Sequence, residues 1–136
     1  MIATESGTGL VAEVITGVWR WLSPEDVASA GTAIDTPDGL RIYVLLSPDL
    51  YERDGTPYGD QHGDFGDNDL RFARLSLAAA DLATGADPDW AADLLHLNDW
   101  QAALAPAYLA WRGRRVPSVL TIHNLAYQGL FPRGAL

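Results

Sequence analysis

Lysine is absent from the 136 residues, and all nine basic residues are arginine. This excludes lysine-dependent chemistry within the chain: a Schiff base, a P-loop, or a lysine clamp on phosphate. Cysteine is absent too, which removes disulfides, thiol nucleophiles and thiolate metal sites and allows an intracellular protein. Positive charge is scarce, since 9 basic residues face 18 acidic ones for a formal net charge of −9. With no basic stripe to displace phosphate counterions, nucleic acid is not an expected partner. No apolar run approaches the roughly 18 residues that span a bilayer, and no charged-then-apolar leader opens the chain, so no membrane partner is expected. What remains is 48% hydrophobic, enough to bury the core of one compact domain. A soluble, acidic α/β chain is expected.

Leu10, Val11, Val14, Ile15, Val18 and Leu22 recur at helical spacing and predict a helix over residues 10–22, interrupted by Gly17. Ser23-Pro24-Glu25-Asp26 has the chemistry of a cap opening a short helix. Residues 30–39, with Thr36-Pro37-Asp38-Gly39, read as turn, and Leu40–Leu46 as a buried strand closed by Ser47-Pro48. From Asp49 to Asp69 aspartate, glycine and aromatics dominate without any period. A loop that long is uncommon in a compact domain unless it has a function. Asp67 or Asn68 then caps a helix reaching about Thr84, with Leu70, Ala73, Leu77 and Ala80 along one face. After a turn at Asp87-Pro88-Asp89-Trp90, Asp93–Leu97 reads as a strand, Trp100–Arg112 as a helix ended by Gly113, and Pro117–Ile122 as a second strand. Strand, helix and strand in about thirty residues make a βαβ unit with parallel strands. The chain stops at Phe131–Leu136 without a closing element, as a truncated domain would.

Parallel sheets bind ligands beyond the carboxyl ends of their strands. Two polar clusters fall there: His96, Asn98, Asp99, Trp100 and Gln101 after the first strand, His123 and Asn124 after the second. Neighbouring strands would face these clusters across one crevice, with groups suited to sugar hydroxyls. Each residue also has a plainer role. Asp99 could cap the helix at Trp100, His96 could be a hydrogen-bonded core residue, and Trp100 could be packing or a sugar platform. The Asp60-Gln61-His62-Gly63-Asp64 run has no metal-ligand spacing and reads as a solvated loop. Arg112, Arg114 and Arg115 follow a helix carboxyl end and read as partners of its dipole.

Four stretches carry a family resemblance: LLHLNDWQAALAPAYL (Leu94–Leu109), PSVLTIHNLAYQGLFP (Pro117–Pro132), YERDGTPYGD (Tyr51–Asp60) and DNDLRFARLSLAAADLA (Asp67–Ala83). In order and spacing they resemble the ADP-glucose-using family of bacterial glycogen synthases and plant starch synthases. The resemblance implies a Rossmann-like parallel sheet with flanking helices, part of the amino-terminal, acceptor-side domain of a two-Rossmann (GT-B) glycosyltransferase. It covers residues 40–136, while residues 1–39 match poorly. It implies a cytoplasmic enzyme that moves glucose from ADP-glucose to the 4-hydroxyl at the non-reducing end of an α-1,4-glucan, with retention and without metal or cofactor.

Position by position, the resemblance makes Asp99 the active-site aspartate and His123 the catalytic-site histidine, with main chain and ring beside the transferred glucose. Tyr58, Trp100, Gln101 and Asn124 match positions lining the same cleft. The chain departs from the family in several places. The lysine-glycine-glycine loop of the family has only a faint echo in Ser6–Val14, Asn98 stands where a second histidine is usual, and Gln101 where histidine is frequent. The carboxyl-terminal domain that holds the diphosphate is expected to be missing. The alternatives are a non-catalytic or vestigial glucan-binding fragment, or an unrelated α/β binding domain.

Overall fold

In the computed structural model, which describes residues 18–22 and 28–135, the chain divides into two units, Met1–Glu52 and Arg53–Leu136. In the first unit, β1 (Val18–Leu22), β2 (Ala28–Asp35) and β3 (Arg41–Leu46) form an antiparallel sheet in that order. A four-residue helix, α1 (Pro48–Tyr51), follows. The helix expected over residues 10–22 is corrected at its carboxyl end: VWRWL alternates aromatic residues at period two and pairs with β2 from Val18↔Thr32 to Leu22↔Ala28. Residues 10–17 and Ser23–Asp26 lie outside the described residues.

The turn expected from residue 30 begins later. Ala30–Asp35 is strand, paired residue for residue with β3, and Thr36–Gly39 alone turns, with Gly39 at φ 87°. Asp35 and Arg41, opposite each other in this register, form a two-pronged ion pair at 2.6 and 2.9 Å. β3 lies where the hydrophobic run predicts it, but only Leu45 in it is buried.

The second unit opens with a hairpin where a structureless loop is expected. β4 (Gly59–Asp60) and β5 (Gly63–Asp64) pair across Gln61-His62. The strands come so close that a Cβ on Gly59 would lie 2.1 Å from the Gly63 carbonyl oxygen. Asp60 accepts the His62 N–H at 2.7 Å, an Asx turn that accounts for its place in the loop.

The helix α2 (Asn68–Ala83) has the expected bounds but a different buried face. Leu70 is 51% exposed, whereas Asn68, Arg71 and Arg74 are buried along with Leu77, Ala78 and Ala80. Asp67 sits at the N-cap yet makes no cap bond. Its carboxylate instead takes both arms of Arg53, at 2.8 and 2.6 Å, and that guanidinium holds its pKa below the usual carboxylate range.

β6 (Leu95–Asn98) and β7 (Ser118–Thr121) are parallel, in register from Leu95↔Ser118 to Asn98↔Thr121. The single helix expected between them is two: α3 (Asp99–Ala102) and α4 (Ala105–Trp111). Pro106 is the reason. In a continuous helix its ring would clash with the Ala102 carbonyl and leave it without a donor, whereas in the first turn of a new helix it costs nothing. Gly113, at φ 66°, ends α4 with the bonds Gly113 N–H to Ala110 and Arg114 N–H to Leu109 of a Schellman motif.

Leu77, Ala80, Ala105 and Leu109 are buried where α2 meets α4. Polar ties cross this helical core, among them Ser76 Oγ to the Gln101 carbonyl at 3.1 Å and Arg112 to Asp81. Arg112 therefore serves an ion pair between helices rather than the dipole of its own. Among the described residues no helix is long and apolar enough to cross a membrane.

Candidate active site

The register of β6 and β7 delivers Asp99 and His123 to the carboxyl ends of adjacent strands. Asp99 turns the chain from β6 into α3 at φ 57°, a left-handed conformation that aspartate tolerates better than most residues. Its carboxylate reaches across the strand ends. Oδ1 accepts the His123 N–H at 2.7 Å, and Oδ2 lies 2.9 Å from His123 Nδ1. An ionised carboxylate only accepts, so Nδ1 carries the proton and Nε2 is left for another partner. The cap reading of Asp99 is thereby replaced. The N-cap of α3 is Asn98, which makes no side-chain cap bond, and the Asp99 carboxylate is engaged by His123.

The main-chain N–H of His123 is the largest cause holding the Asp99 carboxyl below its usual pKa, followed by the His123 ring and the Asn124 N–H. Because the folded value is depressed, this clasp contributes stability above the unfolded aspartate value of about 3.9 and loses it as pH falls through the lower folded value. The His123 amide resonance should accordingly titrate with a midpoint below 3.9 in an acid NMR titration. A midpoint at or above 3.9 would mean that the clasp does not persist in solution.

A cleft of about 610 Å³ opens beside this corner, within the ~300–1,000 Å³ usual for small-molecule sites. Tyr58, Asp99, Trp100, Gln101 and Asn124 all line it. His123 holds Asp99 but is not one of the lining residues. His96 belongs to neither group. Its Nε2 meets Thr121 Oγ1 at 2.7 Å across the strand pair, so it is hydrogen-bonded as expected, yet exposed rather than in the core.

Tyr58 follows the turn into the hairpin, and its hydroxyl accepts Gln101 Nε2 at 2.8 Å. Trp100 packs edge-on to Phe72 and Phe131, with centroids 4.8 and 5.5 Å away. Of the two roles open to Trp100, these contacts support packing. Residues from 124 to 131 also line the cleft, beginning with an Asx turn in which Asn124 Oδ1 accepts the Ala126 N–H at 2.9 Å. Gly129, at φ 63°, lies against the indole so closely that a Cβ there would be 2.3 Å from Trp100 Cε3.

Sequence reasoning missed Asp64, Asn68, Gly129 and Phe131 as cleft residues. Asn68 resembled a helix cap, and the 125–131 segment has aromatics but no period to place them. The lining contains two carboxylates, Asp64 and Asp99, with amides, phenols and rings, and no cation. Such a surface suits a neutral polyhydroxylated ligand and offers no positive charge to a diphosphate.

The sequence matches the family described as the starch synthase catalytic domain over residues 8–136. It is 66% identical over 103 residues to glycogen synthase 1 of Bradyrhizobium diazoefficiens, covering 74% of this chain and 22% of that protein. It is 62% identical over 99 residues to the glycogen synthase of Pseudomonas fluorescens, covering 71% and 19%. With the glycogen synthase of Pseudomonas putida it shares 56% over 103 residues, or 74% and 20%. The chain thus spans about a fifth of the length of the curated relatives it matches. A family match across nearly the whole chain, joined to a mixed α/β unit with a polar cleft at its parallel strand ends, means that the chain belongs to the starch synthase catalytic domain family of glycosyltransferases.

Proposed function

We propose that this chain forms the acceptor-facing part of a glycogen or starch synthase of the two-Rossmann (GT-B) type, with residues 40–136 belonging to its amino-terminal catalytic domain. The reaction is transfer of glucose from ADP-glucose to the 4-hydroxyl at the non-reducing end of an α-1,4-glucan, with retention, in the cytoplasm. The anomeric C1–O bond to ADP breaks, the C1–O4 bond forms, the acceptor hydroxyl loses its proton and ADP leaves as the anion. One observation carries the acceptor-side reading: the cleft offers aromatic, amide and carboxylate groups and no cation. Stabilising the departing diphosphate requires positive charge in the site. A hydroxyl-rich glucan requires only the donors and acceptors this cleft supplies.

In this reading Asp99 and His123 are the catalytic pair. Asp99, which lines the cleft, meets the sugar, and His123 holds that carboxylate through its main-chain N–H and its ring. Tyr58, Gln101 and Asn124 bind the glucan, and Trp100 holds the wall against which it lies. The β6–β7 pair with its helical crossover supports the Rossmann-like assignment, since ligands of such sheets sit beyond the strand carboxyl ends.

The test exchanges the matching 103-residue stretch of the Bradyrhizobium protein for this chain's. The chimera should extend a maltooligosaccharide primer with ADP-glucose, and the 136-residue chain by itself should bind the primer without extending it. A folded but inactive chimera, together with primer binding by the chain, would establish the non-catalytic glucan-binding alternative. A chain that binds no maltooligosaccharide would overturn the acceptor-side reading.

A further inference from the structure

We infer that Asn68 and Arg71, buried at the amino end of α2, are positioning residues that set Tyr58 for ligand binding in the cleft; the glucan identity of that ligand rests on the reading above. Helix faces normally bury apolar side chains. Here Asn68 and Arg71 are only 6% and 5% exposed, and burying a guanidinium is costly unless its donors are met. Their partners are two consecutive carbonyls of one short segment. Arg71 Nη1 donates to Pro57 at 2.8 Å, and Asn68 Nδ2 donates to Tyr58 at 2.7 Å. Arg71 also donates to Asn68 Oδ1 at 2.6 Å, so the two side chains fix each other. The Arg71 guanidinium lies 4.8 Å from the Phe65 ring centroid, a cation–π contact that adds to its hold.

The hairpin does not need these bonds for its own shape. Thr56 already bonds Gly59 through both main chain and hydroxyl, and the Phe65 N–H meets the Tyr58 carbonyl at 2.9 Å. What α2 adds is the place where the hairpin sits. Tyr58 is thereby held at its main chain by α2 and at its hydroxyl by Gln101 of α3. Its ring stands 5.8 Å from Phe72 and lines the cleft. Gln101 Oε1, buried and without a hydrogen-bond partner among the described residues, lies in the same wall. A side chain fixed before the ligand arrives loses less rotamer freedom on binding.

The experiment uses the full chain with Asn68→Ala, Arg71→Lys and Tyr58→Phe, read by the Gln101 side-chain amide in NMR and by maltoheptaose affinity in calorimetry. In Asn68→Ala the Gln101 amide signal should move toward its position in Tyr58→Phe, and affinity should fall about 2- to 10-fold. In a Tyr58→Ala background, Arg71→Lys, at a residue outside the cleft lining, should leave affinity unchanged, because the effect passes through Tyr58. Should Asn68→Ala fail to fold, Arg71→Lys, which keeps the charge but not the fork, supplies the same readouts. A Gln101 signal that stays in place in a folded variant, or an equal loss of affinity in the Tyr58→Ala background, would overturn the inference. Absence of maltoheptaose binding by the parent chain counts against the glucan reading, and the Gln101 signal then decides the positioning role by itself.

Discussion

Gly129→Ala should destabilise the second unit by about 2–5 kcal/mol, a large part of the stability of a domain this size. Two penalties add. Alanine at φ 63° meets a left-handed backbone at a cost of roughly 1–2 kcal/mol. Its Cβ would also lie 2.3 Å from Trp100 Cε3 and 2.6 Å from Cδ2, and forcing a ring aside in packed surroundings costs about 1–3 kcal/mol. Trp100 has little room to yield, with Phe72 on one side and Phe131 on another. Urea unfolding measures the loss. Gly129→Asn separates the two penalties, because asparagine tolerates the backbone but carries the same Cβ. In a Trp100→Ala background the packing penalty should vanish and the backbone penalty remain. A loss below about 1 kcal/mol in the parent background would show that the indole swings aside freely.

Asp99→Asn in the active chimera should lower glucosyl transfer by at least about 100-fold, with an unfolding temperature close to that of the parent. Asparagine keeps the tolerance for φ 57° and one oxygen for the His123 N–H. It lacks the charge that holds the Nδ1 proton and that a neighbouring cationic transition state requires. Asp99→Gly is the complementary probe, relieving the backbone and removing the carboxylate. If the clasp only organised the strand ends, the asparagine variant would retain transfer within about tenfold of the parent and the glycine variant would lose it through unfolding. Both variants inactive and both folded is the outcome expected of a catalytic carboxylate.

The parallel strand pair and its polar ends were legible because their signals are local and agree. Short apolar runs are bounded by turn residues, and the polar clusters fall one residue past each run. Topology then did the rest, bringing Asp99 and His123 together at the carboxyl ends of two strands joined by a crossover. The role of the Asp99 side chain was harder to read, because an aspartate before a helix looks like a cap whether or not its backbone is left-handed.

Other features were hidden for specific reasons. Ala28–Asp35 is a strand of small residues, whose pairing with β3 outweighs weak propensity. The buried face of α2 could not be found from hydrophobic spacing. Arg71 and Asn68 donate to the Pro57 and Tyr58 carbonyls and are buried there, whereas Leu70 is exposed. Pro106 was a readable signal that splits α3 from α4. The wall at residues 124–131 carries no period, and its closeness to Trp100 shows in the absent side chain of Gly129 and the Phe131 ring contact.

The hydrogen bond between Gln101 and Tyr58 joins residues 43 positions apart, while the tie between Ser76 and Gln101 spans 25. Hairpins close in about 1–10 μs and helices faster, so each wall of the cleft can form from neighbours in sequence before the walls meet. Closure entropy rises slowly with length, by about 0.6 kcal/mol per doubling, and the longer link adds little to the barrier. The local pieces are expected to form before the walls join, and the Gln101–Tyr58 bond is expected among the first contacts to open, which native-state hydrogen exchange reads.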